Sequence, residues 1–282
     1  MSDDNSSNRL LQLGLPVLAA AGTMGALGFA RGRFEHSQLF NPERYPAGEW
    51  EPGPLGLPAE DIWFDSDDLR LHGWWIPHPK ARAALLYCHG NSGSIGVRVE
   101  ILRALHQLGL NLLAFDYRGY GRSEGRPSEE GLFRDARAAY RHLVEHLDCD
   151  PQTVVLLGHS MGGAVAIDAA LELPVQGLVV ESTFTGIRDM ARSRFRRLPM
   201  HLIARNQFHN LEKIGRVEIP KLFIHGTADA TVPFTMSRQL YERASDPKSF
   251  LELEGADHND LHLSGDLYFE GLSNFVSSCV TD

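Results

Sequence analysis

Thr153-Val154-Val155-Leu156-Leu157-Gly158-His159-Ser160-Met161-Gly162-Gly163-Ala164 is the stretch on which the fold of this chain turns. Its first half is a β-branched and leucine run of the kind that forms a buried strand. Its second half is glycine and alanine, as in a helix packed tightly against its neighbours. Gly158 and Gly162 flank Ser160 where side chains would collide as the helix folds back beside the strand. Strand, tight turn and helix together make a nucleophile elbow, which lifts the serine hydroxyl above the carboxyl end of a sheet and against a helix N-terminus. A lone G-x-S-x-G is a weak signal. The apolar strand before it and the helical pattern after it make Ser160 a candidate nucleophile.

A serine hydroxyl attacks poorly until a neighbouring base takes its proton. After an elbow of this kind the acid comes next in the chain and the histidine last. Leu222-Phe223-Ile224-His225-Gly226-Thr227-Ala228-Asp229 places a carboxylate just beyond a strand, followed by Val232-Pro233. Asp229 is therefore the expected acid, holding an imidazole by one ring nitrogen and stabilising its cation. It could instead cap the helix that starts near Pro233. Glu181, at the end of the preceding strand, and Asp257 are rival acids. Of the 13 histidines, His258 is singled out because it follows the last strand, across Glu254-Gly255-Ala256-Asp257. His262 is expected to face solvent or pack locally, and His89, His159 and His225 to brace loops rather than move protons.

Two hydrogen-bond donors are needed for the oxyanion of a tetrahedral intermediate. The backbone N–H of Met161 is one candidate, and that of Asn91, in His89-Gly90-Asn91 after an earlier strand, is the other. No His, Cys or carboxylate spacing suggests a metal. The Gly90 to Ser94 loop lacks the Lys-Ser/Thr ending of a phosphate-cradling loop. Gly119-Tyr120-Gly121-Arg122-Ser123-Glu124 carries glutamate where a dinucleotide fingerprint needs its third glycine. No cofactor is expected.

Around the elbow, short strands alternate with helices. Asp61 to Phe64 and Leu69 to Pro77 read as an antiparallel pair joined at Asp65-Ser66-Asp67-Asp68. Buried strands are expected at Ala83 to Cys88, Asn111 to Phe115, Gly177 to Val180, Lys221 to Ile224 and Ser249 to Leu253. Helices are expected around 97–108, from Ser128 to about Leu147, to about Leu173 after the elbow, and around 234–244 and 265–276. The pattern predicts an α/β protein, a mostly parallel eight-stranded sheet with helices on both faces. At 282 residues, with 43% hydrophobic and 22% charged residues, the composition is that of an ordinary globular domain. A formal net charge of -9 argues against a nucleic-acid partner. Three scattered cysteines make neither a disulfide framework nor a zinc site, and Cys88 reads as a small buried hydrophobe.

Residues 1–33 hold an uncharged run, Leu10 to Ala30, followed by Arg31 and Arg33. It is long enough to cross a bilayer, which takes about 20 residues. A membrane-anchor helix is the leading reading; a signal peptide and a helix packed on the domain or lying at an interface are the alternatives. The flanking arginines lean toward a cytoplasmic catalytic domain, with secreted or periplasmic placement as the alternative. Residues 34–58, with five prolines, read as a linker or surface strap, and residues 59–282 as the catalytic domain. An insert at 183–217 mixes seven arginines with apolar residues. It is either a crossover with a solvated basic face or a small lid over the serine.

His89-Gly90-Asn91, Asp116-Tyr117-Arg118-Gly119-Tyr120-Gly121, Gly158 to Gly163, Glu181-Ser182-Thr183-Phe184 and His225-Gly226-xx-Asp229-xx-Val232-Pro233 together resemble one branch of the α/β-hydrolase-fold serine hydrolases. The resemblance covers the span from about Asp61 to the C-terminus. That branch contains N-terminally membrane-anchored hydrolases, among them eukaryotic protein depalmitoylases and many bacterial proteins. It implies a catalytic triad of Ser160, Asp229 and His258, the set that chain order also picks. The sequence departs from the branch at His209-Asn210, where an acidic residue is usual. The expected activity is hydrolysis of small-molecule or lipid carboxylic esters through an acyl-enzyme, at a membrane. Thioester or phospholipid cleavage is the nearest alternative, with aminopeptidase activity and a non-catalytic binding module behind it. Oligomeric state is not legible.

Overall fold

The computed structural model describes residues 39–194 and 207–280, and the compact unit that carries the elbow begins at Asn41. Its strands are β1 (Asn41–Pro42), β2 (Glu60–Ser66), β3 (Leu69–Ile76), β4 (Ala84–Cys88), β5 (Ser92–Gly93), β6 (Asn111–Phe115), β7 (Val154–His159), β8 (Gly177–Glu181), β9 (Lys221–Gly226) and β10 (Lys248–Leu253). The described helices are α1 (Val99–His106), α2 (Glu129–Glu145), α3 (Met161–Ala169), α4 (Ile187–Arg194), α5 (Asn210–Ile214), α6 (Phe234–Arg243) and α7 (Asp266–Cys279).

Eight strands form one sheet in the order β10-β9-β8-β7-β4-β6-β3-β2. β3 pairs antiparallel with both β2 and β6, and every other pairing in this sheet is parallel. This is the α/β-hydrolase fold. Every residue of β4, β8 and β9 is buried, as their near-continuous apolar runs require of strands covered on both faces. The edge strand β10 alternates with Lys248, Ser249 and Glu252 instead, which keeps a flank of the sheet polar. On one face, Leu102 and Leu105 of α1 and Tyr268, Leu272 and Val276 of α7 join a core with the sheet's inward residues. The opposite face carries α2, α3 and α6.

Chain order across the sheet reverses at β4 and β7, so these two strands lie side by side at its centre. Their carboxyl ends carry the Gly90 loop and Ser160. That is the crevice where open α/β sheets hold their ligands. The helix that follows, α3, is buried at all nine positions, which explains why it is built from small and apolar residues rather than an amphipathic stripe. α2 starts where its N-cap predicts: Ser128 Oγ accepts from the N–H of Gly131 at 3.2 Å, with Glu129 and Glu130 in the first turn.

From Asn41 the proline-rich stretch is tied to two loops. β1 pairs in parallel with β5, Tyr45 N–H donates to Gly121 O, and Arg44 donates to the carbonyls of Ser123 and Gly125 at 3.1 and 2.9 Å. The β2–β3 pair runs further than expected. Ser66 belongs to the strand, where its hydroxyl donates to Asp135 at 2.8 Å, and the turn shrinks to Asp67-Asp68 with Asp67 at φ 54°. The expected anchor at 10–30 and the middle of the insert, 195–206, lie outside the described residues. Among the described residues no helix is long and apolar enough to cross a membrane.

Candidate active site

β7 ends at His159, and the backbone breaks sharply at the next residue. Ser160 has φ 56° and ψ -117°, a conformation that an L-residue adopts only under constraint. The constraint is visible on both sides. The Ser160 N–H donates to Glu181 O at 2.8 Å, and its carbonyl accepts from the Thr183 hydroxyl at 3.1 Å and from the Gly163 N–H. A Cβ at Gly158 would overlap the Gly162 carbonyl, and one at Gly162 would overlap the Cys88 carbonyl. Only glycine lets α3 return this close to β7 and β4.

The three residues picked by chain order meet. His258 Nε2 lies 3.0 Å from Ser160 Oγ, and His258 Nδ1 lies 2.8 Å from Asp229 Oδ2. Ser160 and His258 are 7% and 6% exposed, so the contact is shielded yet reachable from one side. Asp229 follows β9. Its Oδ1 accepts from the N–H groups of Thr231 and Val232, at 2.9 and 2.7 Å. Burial opposes its ionisation, but hydrogen bonds from His225 and His258, the charge of His258 and the Val232 amide outweigh that and hold its pKa well below the usual carboxylate range. It is an anion at neutral pH.

The two rival acids are engaged elsewhere. Glu181 is buried and accepts from Tyr268 OH at 2.7 Å, and burial raises its pKa to about 7. Asp257 Oδ1 accepts from the N–H groups of Ala230 and His258, at 2.9 and 2.7 Å. It joins the loop bearing the acid to the loop bearing the histidine without touching the imidazole.

The other glycine-flanking histidines do brace loops, and two of them touch the constellation. His159 Nε2 lies 2.8 Å from the carbonyl of His258, and the two rings are 4.9 Å apart. Burial first, then the neighbouring His258, lower the His159 pKa to about 3, so it donates as a neutral ring. His225 Nε2 is 3.1 Å from Asp229 Oδ2 and 3.0 Å from Val232 O, while its Nδ1 is 2.5 Å from Ser237 Oγ. Two acceptors facing Nε2 put the proton there. The contact to Asp229 was not foreseen. Its sequence signal is the spacing of His225 and Asp229 across a strand end.

The expected oxyanion donors flank the serine. Met161 opens α3, where a first-turn N–H has no partner within the helix. Asn91 belongs to a loop held on several sides. His89 Nδ1 lies 2.7 Å from Gly90 O, the carbonyl of the peptide whose N–H is Asn91's. Asn91 O accepts from Tyr120 OH at 2.9 Å and from the Asn41 N–H at 3.0 Å. A Cβ at Gly90 would sit 3.4 Å from Ser160 Cβ, which places this loop directly over the serine. At the described ends of the insert, Asn210 is buried and donates from Nδ2 to Phe184 O at 2.9 Å, so the departure from the branch is a structural amide. Among the described residues no group of three His, Cys, Asp or Glu is placed to hold a metal.

Residues 79–212 match the family model described as serine aminopeptidase, S33. An uncharacterized protein of Mycobacterium tuberculosis is 38% identical over 226 residues, covering 78% of this chain and 80% of its own. The α/β-hydrolase domain-containing protein WAV2 of Arabidopsis thaliana is 36% identical over 236 residues, covering 76% and 77%. The bem46 protein of Schizosaccharomyces pombe is 33% identical over 288 residues, covering 96% and 94%. Among solved structures, an esterase of Pyrococcus furiosus superposes with a TM-score of 0.71 at 21% identity, over 86% of this chain and 99% of that one.

Proposed function

The chain belongs to the α/β-hydrolase family, and on that premise we propose that it is a serine hydrolase cleaving carboxylic esters through an acyl-enzyme, with Ser160 as nucleophile, His258 as base and Asp229 as the acid that orients it. The observation that carries this reading is the unbroken chain from Ser160 Oγ through His258 to a buried, ionised Asp229, at 3.0 and 2.8 Å. Ser160 Oγ attacks the ester carbonyl while His258 Nε2 takes its proton, and Asp229 stabilises the imidazolium. The N–H groups of Asn91 and Met161 receive the oxyanion. Collapse of the tetrahedral intermediate breaks the bond to the alkoxide, which leaves with the proton from His258. A water molecule, deprotonated by the same nitrogen, then releases the acid and restores the serine.

Membrane association through Leu10 to Ala30 is part of the proposal. The match to the S. pombe protein spans 96% of this chain, too long to leave that segment out, and this extent of similarity supports the reading.

The test is hydrolysis of p-nitrophenyl esters from acetate to palmitate, with an aminoacyl p-nitroanilide alongside because the matching family model is described as an aminopeptidase. Ester turnover should exceed anilide turnover, and Ser160→Ala should lower kcat/KM by about 10⁴-fold or more and abolish labelling by an organophosphonate. Equal ester turnover in the variant and the parent would sink the assignment of Ser160.

A further inference from the structure

Arg98, the residue before α1, is tied by a hydrogen bond to the loop that carries Asn91. Its Nη2 donates to the carbonyl of Ser92 at 2.7 Å, and its Nε is buried without a partner. Among the described residues no Asp or Glu forms an ion pair with it. Some of the other arginines on the domain are matched by acids, whereas Arg44, Arg82 and Arg103 donate, as Arg98 does, to carbonyls or serine hydroxyls. Arg118 pairs with Asp135 and Asp67, Arg122 with Asp61, and Arg137 with Asp168 and Glu172.

The position of Arg98 gives the unpaired charge a use. Ser92, which it holds, is the residue after Asn91 in the loop lying over Ser160. Its field reaches His159, Tyr87 and Tyr120, weighing against the imidazolium and favouring the phenolates. His159 in turn hydrogen-bonds the His258 backbone and lies 3.3 Å from where a Gly90 Cβ would stand. Arg98 is therefore within electrostatic reach of the ground between the Asn91 loop and His258. A buried donor left unsatisfied in a folded protein calls for a ligand, an ion or water. Guanidinium supplies parallel N–H groups matched to the two oxygens of a carboxylate or phosphate.

We propose that Arg98 seats an oxyanion of the substrate, a carboxylate or phosphate set apart from the scissile carbonyl, so that the site favours esters bearing an anionic group. This rests on the ester-hydrolase reading for its catalytic consequence but not for the binding itself. An arginine that only braced the Ser92 carbonyl would affect charged and neutral substrates alike.

Two matched ester pairs test it. Mono-4-nitrophenyl glutarate against 4-nitrophenyl valerate puts the anion on the acyl side, and 4-carboxyphenyl against 4-carbamoylphenyl butyrate puts it on the leaving group. One pair should show about a tenfold preference in kcat/KM for the anion, lost in Arg98→Gln and partly kept in Arg98→Lys. In parallel, inorganic phosphate and glutarate are titrated against the full chain carrying Ser160→Ala, with and without Arg98→Gln, reading Tm. At least one anion should raise Tm only where Arg98 is present, and the larger effect separates phosphate from carboxylate. If no ester is cleaved yet the rise depends on Arg98, the anion site stands and the ester reading falls. If esters are cleaved without charge preference and neither anion raises Tm, the anion site falls alone. A preference that survives Arg98→Gln also overturns it.

Discussion

Asp229 sits between two histidines, and the second changes what the first can do. His258 Nδ1 and His225 Nε2 both approach Oδ2, at 2.8 and 3.1 Å. The carboxylate is thus fixed from His225, from two backbone amides and from His258, with its side chain fully buried. On the proposed mechanism His225 acts through Asp229, as a positioning residue. His225→Asn should lower kcat about tenfold with little change in KM, because transition-state orientation is lost and substrate binding is not. A carboxylate relieved of one donor holds the proton on the imidazole more firmly, so the acid limb of kcat/KM should move to higher pH. A lower rate with an unmoved limb would mean that His225 merely packs. Asp229, Glu181 and Asp257 all stand at or beyond strand ends, and sequence distance alone could not separate them. What separates them is contact with the imidazole: Asp229 Oδ2 lies 2.8 Å from His258 Nδ1, while Glu181 accepts from Tyr268 and Asp257 from two backbone amides.

Elements were legible where hydrophobic period and capping residues agree. β4 and β6 lie where their apolar runs place them, and α2 begins at its serine cap. The pairing of β1 with β5 was not legible, since two residues carry no period and its partner lies 51 positions away. The elbow itself was the most legible element because its glycines have a steric job. A methyl at Gly162 would run into the Cys88 carbonyl, which is backbone of the adjacent central strand and cannot swing aside. Gly162→Ala should therefore cost more than about 3 kcal/mol, well beyond the loss of a typical surface change. Urea denaturation of variant and parent measures it. A difference within about 0.5 kcal/mol would mean that α3 can shift away from β4, and the tight elbow would need another explanation.

For the whole molecule, the fold and reaction class follow from pattern and chain order, whereas substrate preference depends on side chains that converge from distant positions. The same is true of its response to pH. Asp229 has a lowered pKa, so its contribution to stability is present above the unfolded carboxylate value near 3.8 and is lost as acid protonates it. Glu181 works in the opposite sense. Burial raises its pKa from 4.5 to about 7, so the folded chain holds a proton there that the unfolded chain has released. Stability from this group is full below about pH 4.5 and declines as pH rises through about 7. The two groups therefore favour a stability maximum on the mildly acid side of neutrality. Glu181→Gln keeps the oxygen that accepts from Tyr268 and removes the ionisation. Between pH 5 and about 8 the parent should lose stability relative to this variant, with an upper limit on the order of 3 kcal/mol. Thermal unfolding of both proteins across that range decides it. Parallel curves would show that Glu181 ionises in the fold as readily as in water, and that the Tyr268 contact or solvent entry compensates its burial.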